Sequence, residues 1–200
     1  MAFASGRARK PKQPLDAAAL YEYAVRSLGR KMRTVVELKR LLRARVEPGE
    51  DGDAKITAVL VKLTEQKYLD DATYASYYTR QRQEHEKFGK RRVQQDLTQR
   101  GVPSAIITQT LDDAYEGLPE ETQLRRFLER KRLRPPQDDK QTARLLRMLV
   151  RAGFSTSSIF KVLKQWKAPD DALAAIESIE TMESIESMDE DFDTEKPEQE

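Results

Sequence analysis

The sequence repeats itself, and the repeat limits the possible folds more than any other feature. Leu97-Thr98-Gln99-Arg100-Gly101-Val102 lines up with Leu149-Val150-Arg151-Ala152-Gly153-Phe154. Six residues after each glycine stands an isoleucine, Ile107 or Ile159, and four later a leucine, Leu111 or Leu163. The first third echoes this with Leu41 to Val46, then Ile56 and Leu60, separated by Glu47-Pro48-Gly49-Glu50-Asp51-Gly52, a loop by composition. Units of roughly 50 residues in tandem imply an array that buries its apolar stripes within each unit and against the next. Helices this short are marginal alone. No period-two alternation occurs, so the expected fold is all-α, built from three tandem three-helix, helix-turn-helix-like repeats. The expected organisation is a basic flexible arm at 1–14, repeats at 15–68, 69–118 and 119–166, and a flexible acidic low-complexity tail at 167–200.

Local signals place the helices. Asp16 opens one running to about Lys31, with Leu20, Ala24 and Leu28 on one face. Thr34-Val35-Val36-Glu37 is a capping box before the stripe Val35, Leu38, Leu41 and Leu42. Asp53 can cap a third helix carrying Ile56, Val59, Leu60 and Leu63.

The second repeat opens on Tyr68-Leu69-Asp70-Asp71-Ala72-Thr73-Tyr74-Ala75. Asp70 is a good N-cap, and Tyr68 or Leu69 can pack back on Tyr74 as a hydrophobic staple. Tyr68, Leu69, Asp70, Asp71, Tyr74 and Ala75 are therefore the expected junction between repeats one and two. The helix buries Tyr74 and either Tyr77 or Tyr78, and ends near Phe88-Gly89. The next carries Val93 and Leu97 and stops at Gly101, a suitable left-handed residue. Pro103 suits the first turn of the helix bearing Ile107, Leu111, Ala114 and Tyr115.

Pro119-Glu120-Glu121 begins the third repeat, with Leu124, Phe127 and Leu128 inward and Pro135-Pro136 ending its first helix. A second helix from about Asp138 carries Leu145, Leu146, Leu149 and Val150 and stops at Gly153. Ser155 caps a third with Ile159, Val162, Leu163 and Trp166.

The net charge of +2 hides an asymmetry. Residues 167–200 hold thirteen Asp/Glu and two Lys, a net of −11, leaving 34 Lys/Arg against 21 Asp/Glu, or +13, in residues 1–166. A basic body suits a polyanionic partner, nucleic acid or an acidic protein surface; the alternative is a helical protein laced with surface ion pairs. In the tail, Ile176, Ile179, Met182, Ile185 and Met188 recur every third residue, a spacing that drifts around a helix and gives no stable buried face.

Cysteine is absent, so disulfides, thiolate metal sites and cysteine nucleophiles are excluded. No apolar run reaches the length of a membrane span, and Met1 to Pro14 lacks the apolar core of a secretory signal. A cytoplasmic monomer that does not engage a membrane is expected.

The residue patterns give no reason to expect an enzyme, a cofactor or a metal site. His85, the only histidine, lies in Gln83-Glu84-His85-Glu86-Lys87 and reads as a solvated helix position. The acid pairs Asp70-Asp71, Asp112-Asp113, Asp138-Asp139 and Asp170-Asp171 could hold Mg²⁺, but two of them fall at helix starts, where capping explains them. No Walker loop, dinucleotide turn, nucleophile elbow or zinc-protease pattern occurs.

Basic clusters are the remaining signal. Arg80, Arg82, Lys87, Lys90, Arg91 and Arg92 run through the second repeat, with Arg100 beyond; Arg125, Arg126, Arg130, Lys131, Arg132 and Arg134 crowd the third; Arg144, Arg147 and Arg151 share one helix face. Local pairing, for example Arg82 with Glu86 or Glu121 with Arg125, absorbs some of them. The acids run out first, and phosphate contact is the natural use of the rest. Tyr74, Tyr77 and Tyr78 could stack on bases, though at helical spacing such residues serve the core.

These residues resemble the RecX family of bacterial recombinase regulators. The resemblance is carried by Tyr68-Leu69-Asp70-Asp71, Tyr74-Ala75, Tyr78-Thr79-Arg80-Gln81-Arg82, Gly89 with Arg92-Val93, Leu97 with Arg100-Gly101-Val102, and Arg151-Ala152-Gly153-Phe154 with Ile159 and Leu163, over about residues 16–166. Lys67 stands where the family commonly has glycine, and the loop at 47–52 is longer than typical. The resemblance implies an elongated, curved array. It also implies a non-enzymatic modulator that binds RecA, lodges in the groove of the RecA–DNA filament and restrains its ATPase, strand-exchange and coprotease activities, in regulation of DNA repair, recombination and the SOS response. A second reading stays open: a helix-turn-helix-type protein that acts on DNA directly.

Overall fold

A computed structural model of the chain describes residues 13–166; the expected arm, up to residue 12, and the expected tail lie outside the described residues. Within them are nine α-helices, one π-helical turn and no strand. In chain order the helices are α1 Ala17–Leu28, α2 Val35–Arg43, α3 Glu50–Glu65, α4 Asp71–Gln81, the π turn Arg82–Glu86, α5 Lys90–Gln99, α6 Ser104–Tyr115, α7 Glu120–Arg130, α8 Asp139–Arg151 and α9 Thr156–Gln165. They form three successive three-helix groups. By compactness the described residues form two units: 13–75 with Leu97–Ile107, and Ser76–Asp96 with 108–166. Each of α4, α5 and α6 runs from one unit into the other.

In the first unit α1, α2 and α3 close around Leu20, Ala24, Leu38, Leu42, Ile56, Leu63 and Leu69. Fully burying a leucine or isoleucine favours the folded state by about 1.5–3 kcal/mol, so this layer drives the unit. Asp16 caps α1 through the Ala19 N–H at 2.8 Å, and Thr34 caps α2 through the Glu37 N–H at 3.0 Å. Two expectations shift. α1 stops at Leu28 rather than Lys31. α3 starts at Glu50, inside the expected loop, because Glu50, Asp51 and Asp53 all favour the positive end of a helix. Asp53 is consequently not a cap; its carboxylate takes Arg43 at 3.2 Å.

In the second unit α7 and α8 pack on α9 around Leu124, Phe127, Leu128, Leu149, Phe154, Ile159 and Leu163. The Phe127 and Phe154 rings meet edge to face, 5.6 Å between centroids. Asp138 caps α8 and Ser155 caps α9, as expected. Pro119 is the N-cap of α7 and not its first helical residue. α7 ends at Arg130 because Arg132 turns left-handed (φ 51°), several residues before Pro135-Pro136. Val150 is exposed, so it is not part of the buried stripe. Gly153 is left-handed (φ 89°) and lies against Gly89, whose N–H donates to the Ala152 carbonyl at 2.9 Å. A Cβ on Gly89 would come within 2.2 Å of the Gly153 carbonyl oxygen, and one on Gly153 within 2.2 Å of the Arg92 amide nitrogen, so neither position has room for a side chain.

Candidate nucleic-acid interface

The junction residues assemble inside the first unit, with one exception. Leu69 and Ala75 are fully buried and Tyr74 nearly so. Tyr68 is 59% exposed, and of the pair only Leu69 is buried in the core of the first unit. Asp70 caps α4 as expected, accepting the Ala72 N–H at 2.9 Å, the Thr73 N–H at 3.1 Å and the Thr73 hydroxyl at 3.0 Å. Those Thr73 bonds, the backbone one first, hold its carboxyl below the usual range. Asp71 instead reaches α2 and accepts the Val35 N–H at 2.9 Å. Burial pushes its carboxyl upward, and that bond opposes the shift. No feature of the local sequence announces this second role, because the partner is a remote helix start.

The fifteen expected phosphate-binding cations separate by environment. Four are struts that pair with acids of other parts of the fold or the same helix. Arg100 Nη1 binds Glu37 at 2.7 Å while its carbonyl accepts the Thr34 hydroxyl at 2.6 Å, so Glu37 makes an ion pair where a capping-box bond was expected. Arg82 and Arg92 flank the buried Asp96 at 4.0 and 3.2 Å; the Tyr78 hydroxyl donates to the same carboxylate at 2.9 Å. The Arg82 guanidinium sits 4.9 Å from the Tyr78 ring centroid. Arg130 reaches Glu86 at 3.3 Å, and Glu121 pairs with Lys161, so neither i,i+4 pairing expected for Arg82–Glu86 or Glu121–Arg125 forms.

Two more are in exposed pairs of small energetic weight, Arg80 with Glu84 at 2.9 Å and Lys90 with Asp112 at 2.7 Å. Lys90 and Arg91 also line a cleft of about 620 Å³ together with Asp112, Asp113, Glu116 and Glu120. Carboxylates outnumber cations there, which disfavours phosphate. The remaining eight, Lys87, Arg125, Arg126, Lys131, Arg132, Arg144, Arg147 and Arg151, make no ion pair among the described residues. His85 is exposed on the π turn, in keeping with a solvated position.

α8 gathers the clearest cationic row. Arg144, Arg147 and Arg151 are exposed, and the spacing adds Lys140 to the same face. The opposite face carries the buried Thr142, Leu145 and Leu149. Lys140 lies outside the sequence-based set, although its i,i+4 relation to Arg144 is the signal that includes it. Like-charge neighbours at this spacing cost a helix a few tenths of a kcal/mol per pair, a cost that a polyanion would reverse. Among the described residues no group of three or more acids or histidines is arranged to hold a metal ion, and no helix is long and apolar enough to cross a membrane.

Residues 70–111 match the family description "RecX, second three-helix domain". The regulatory protein RecX of Bacillus thuringiensis (strain Al Hakam) is 30% identical over 156 residues, and that of Bacillus cereus (strain B4264) 31%. Each alignment covers 76% of this chain, and the chain spans about half, 55%, of those relatives' length. Among solved structures, a crystal structure of regulatory protein RecX shares the fold at a TM-score of 0.57 and 24% identity, covering 74% of this chain and 71% of that one. RecX from Lactobacillus salivarius does so at 0.56 and 20%, covering 76% and 96%. The matched domain, the curated relatives and the shared all-helical fold agree in their likeness to the RecX family.

Proposed function

We propose that this protein is a non-enzymatic, cytoplasmic regulator that acts as a monomer on RecA and the RecA–DNA filament, mostly by inhibiting recombination, ATPase and coprotease activities. The observation that carries the reading is the 30–31% identity over 156 residues to proteins named regulatory protein RecX. The α8 row of Lys140, Arg144, Arg147 and Arg151 supports a polyanionic partner, since it carries four cations with no ion pair among the described residues. The mechanism on this reading is steric and electrostatic: a helical body fixed by cationic contacts spans neighbouring recombinase subunits and blocks their rearrangement or extension.

RecA ATPase and strand exchange, measured with and without the full chain, test the proposal. Slowing at stoichiometric protein is expected; unchanged rates in excess protein would remove it. Titration of naked DNA at graded salt addresses direct action on DNA. Tight, sequence-selective binding at physiological salt would favour the helix-turn-helix reading instead.

A further inference from the structure

The first unit holds a cationic cleft whose arginines are distinct from the α8 row. Arg26, Arg30, Arg33 and Arg45 line one cavity of about 370 Å³, with Tyr23 and Ser27 in its wall and no carboxylate lining it. The four come from α1, the turn after it, and the residues following α2. The arginines at 26, 30 and 33 look like one helical face in sequence, but the helix ends at Leu28 and only the turn brings them together with Arg45.

Internal bonds hold two of these side chains in place without using up their charge. The Arg45 guanidinium stacks on the Tyr23 ring at 4.2 Å, and the Arg45 carbonyl accepts the Leu15 N–H at 2.8 Å. Arg33 donates through Nε to the Ser27 hydroxyl at 2.9 Å, which leaves its two terminal nitrogens. Arg26 meets Glu22 at 3.5 Å in a pair with both side chains largely exposed. Arg30 has no ion pair among the described residues. Four guanidiniums around one space repel one another, and Glu22 offsets one of them. Planar, fixed guanidiniums with free N–H edges match the tetrahedral oxygens of phosphate.

We infer that this cleft of the first unit is a phosphate-binding site, taking a backbone phosphate of a nucleic-acid strand or the phosphate of a nucleotide. The inference does not require that the partner be a recombinase. It assigns Arg30 and Arg33 as direct phosphate ligands, Arg45 as a ligand oriented by Tyr23, and Arg26 as a peripheral cation.

Binding of a fluorescent single-stranded oligonucleotide to the full chain at graded salt tests it. Arg30→Glu, which breaks no internal contact, should weaken binding about tenfold and flatten the salt slope by about one. Arg40→Glu makes the same charge change at an exposed position of α2 outside the cleft and should weaken it far less. NMR signals of the Arg33 and Arg45 Nε–H groups give a second measurement that does not depend on a variant. Their displacement by oligonucleotide alone assigns strand phosphate; displacement by ATP or inorganic phosphate assigns a free phosphate group. If Arg30→Glu binds as Arg40→Glu does, and neither signal moves with any of the three, the site is overturned. Recombinase ATPase on the same variants keeps this result apart from the regulatory reading: slowing that persists while the cleft fails leaves that reading standing.

Discussion

The Asp71 carboxylate accepts the backbone N–H of Val35 at 2.9 Å, across 36 residues of sequence. Val35 is the first residue of α2, so a side chain at the start of one helix closes an open donor at the start of another. Asp71→Ala would leave that donor unpaired in a half-buried place, and a loss of about 1–3 kcal/mol in denaturant unfolding is expected. Asp71→Asn keeps the acceptor oxygen. Because burial raises the Asp71 pKa, ionising it costs stability as pH rises from its ordinary value of 3.8 through the raised one. The asparagine variant should therefore match or exceed the parent at pH 7 and lose that advantage in acid. An asparagine variant as damaged as the alanine one would show that the charge itself is required.

Asp70, one residue earlier, has the opposite sign. Its hydrogen bonds to Thr73 and Ala72 favour the ionised form and lower its pKa. Its contribution is present above about 3.8 and disappears as pH falls through the lowered value. Asp70→Ala should cost about 1 kcal/mol near neutrality, with the gap to wild type closing in acid. Thermal melts across pH 2–7 read this directly.

Lys67 holds a left-handed backbone, φ 61°, just before the junction. A Cβ there is disfavoured by roughly 1–2 kcal/mol, part of which glycine would return as greater chain entropy in the unfolded state. Lys67→Gly should raise stability by about 0.5–1 kcal/mol. A lower melting temperature would mean that the lysine side chain contributes more than its conformation costs.

The arginines should divide into two classes under charge reversal. Arg144→Glu with Arg147→Glu removes exposed cations of the α8 row, so melting should hold while polyanion binding falls by several-fold at low salt. Arg82→Glu places a carboxylate beside the buried Asp96 and should destabilise the fold by a few kcal/mol. Loss of DNA binding in Arg82→Glu with a normal melt would reverse this division.

Residues 167–200 carry −11 against the +13 of the rest of the chain. If they compete with DNA for that charge, deleting them should raise DNA affinity at low salt and change little at high salt. Equal affinities at low salt would reduce the segment to a solubilising extension.

Much of the helical plan is legible before any coordinates, because caps are local. Asp16, Thr34, Asp70, Asp138 and Ser155 each lie next to the helix they start. The misread boundaries have local causes too. At α3, the Pro-Gly-acid composition hides a helix start, and at α7 a left-handed arginine ends the helix ahead of the prolines. Partners of charged side chains are not legible in this way. Arg82 chooses Asp96 over Glu86, and Arg130 takes Glu86, because tertiary neighbours decide which acid is near. The four-arginine cleft is hidden for the same reason: Arg45 joins Arg26, Arg30 and Arg33 only once the chain has turned.

Gly153 fills the space that a side chain on Gly89 would need, and the Arg92 backbone fills the space that one on Gly153 would need. The two positions are therefore one specification written in two places. Enlarging either should push the 152–154 turn away from the start of α5, and a compensating substitution is blocked, since the nearest atoms in the way are backbone. Variation in this protein can drift along its cationic faces, but across this contact it has no path of single steps.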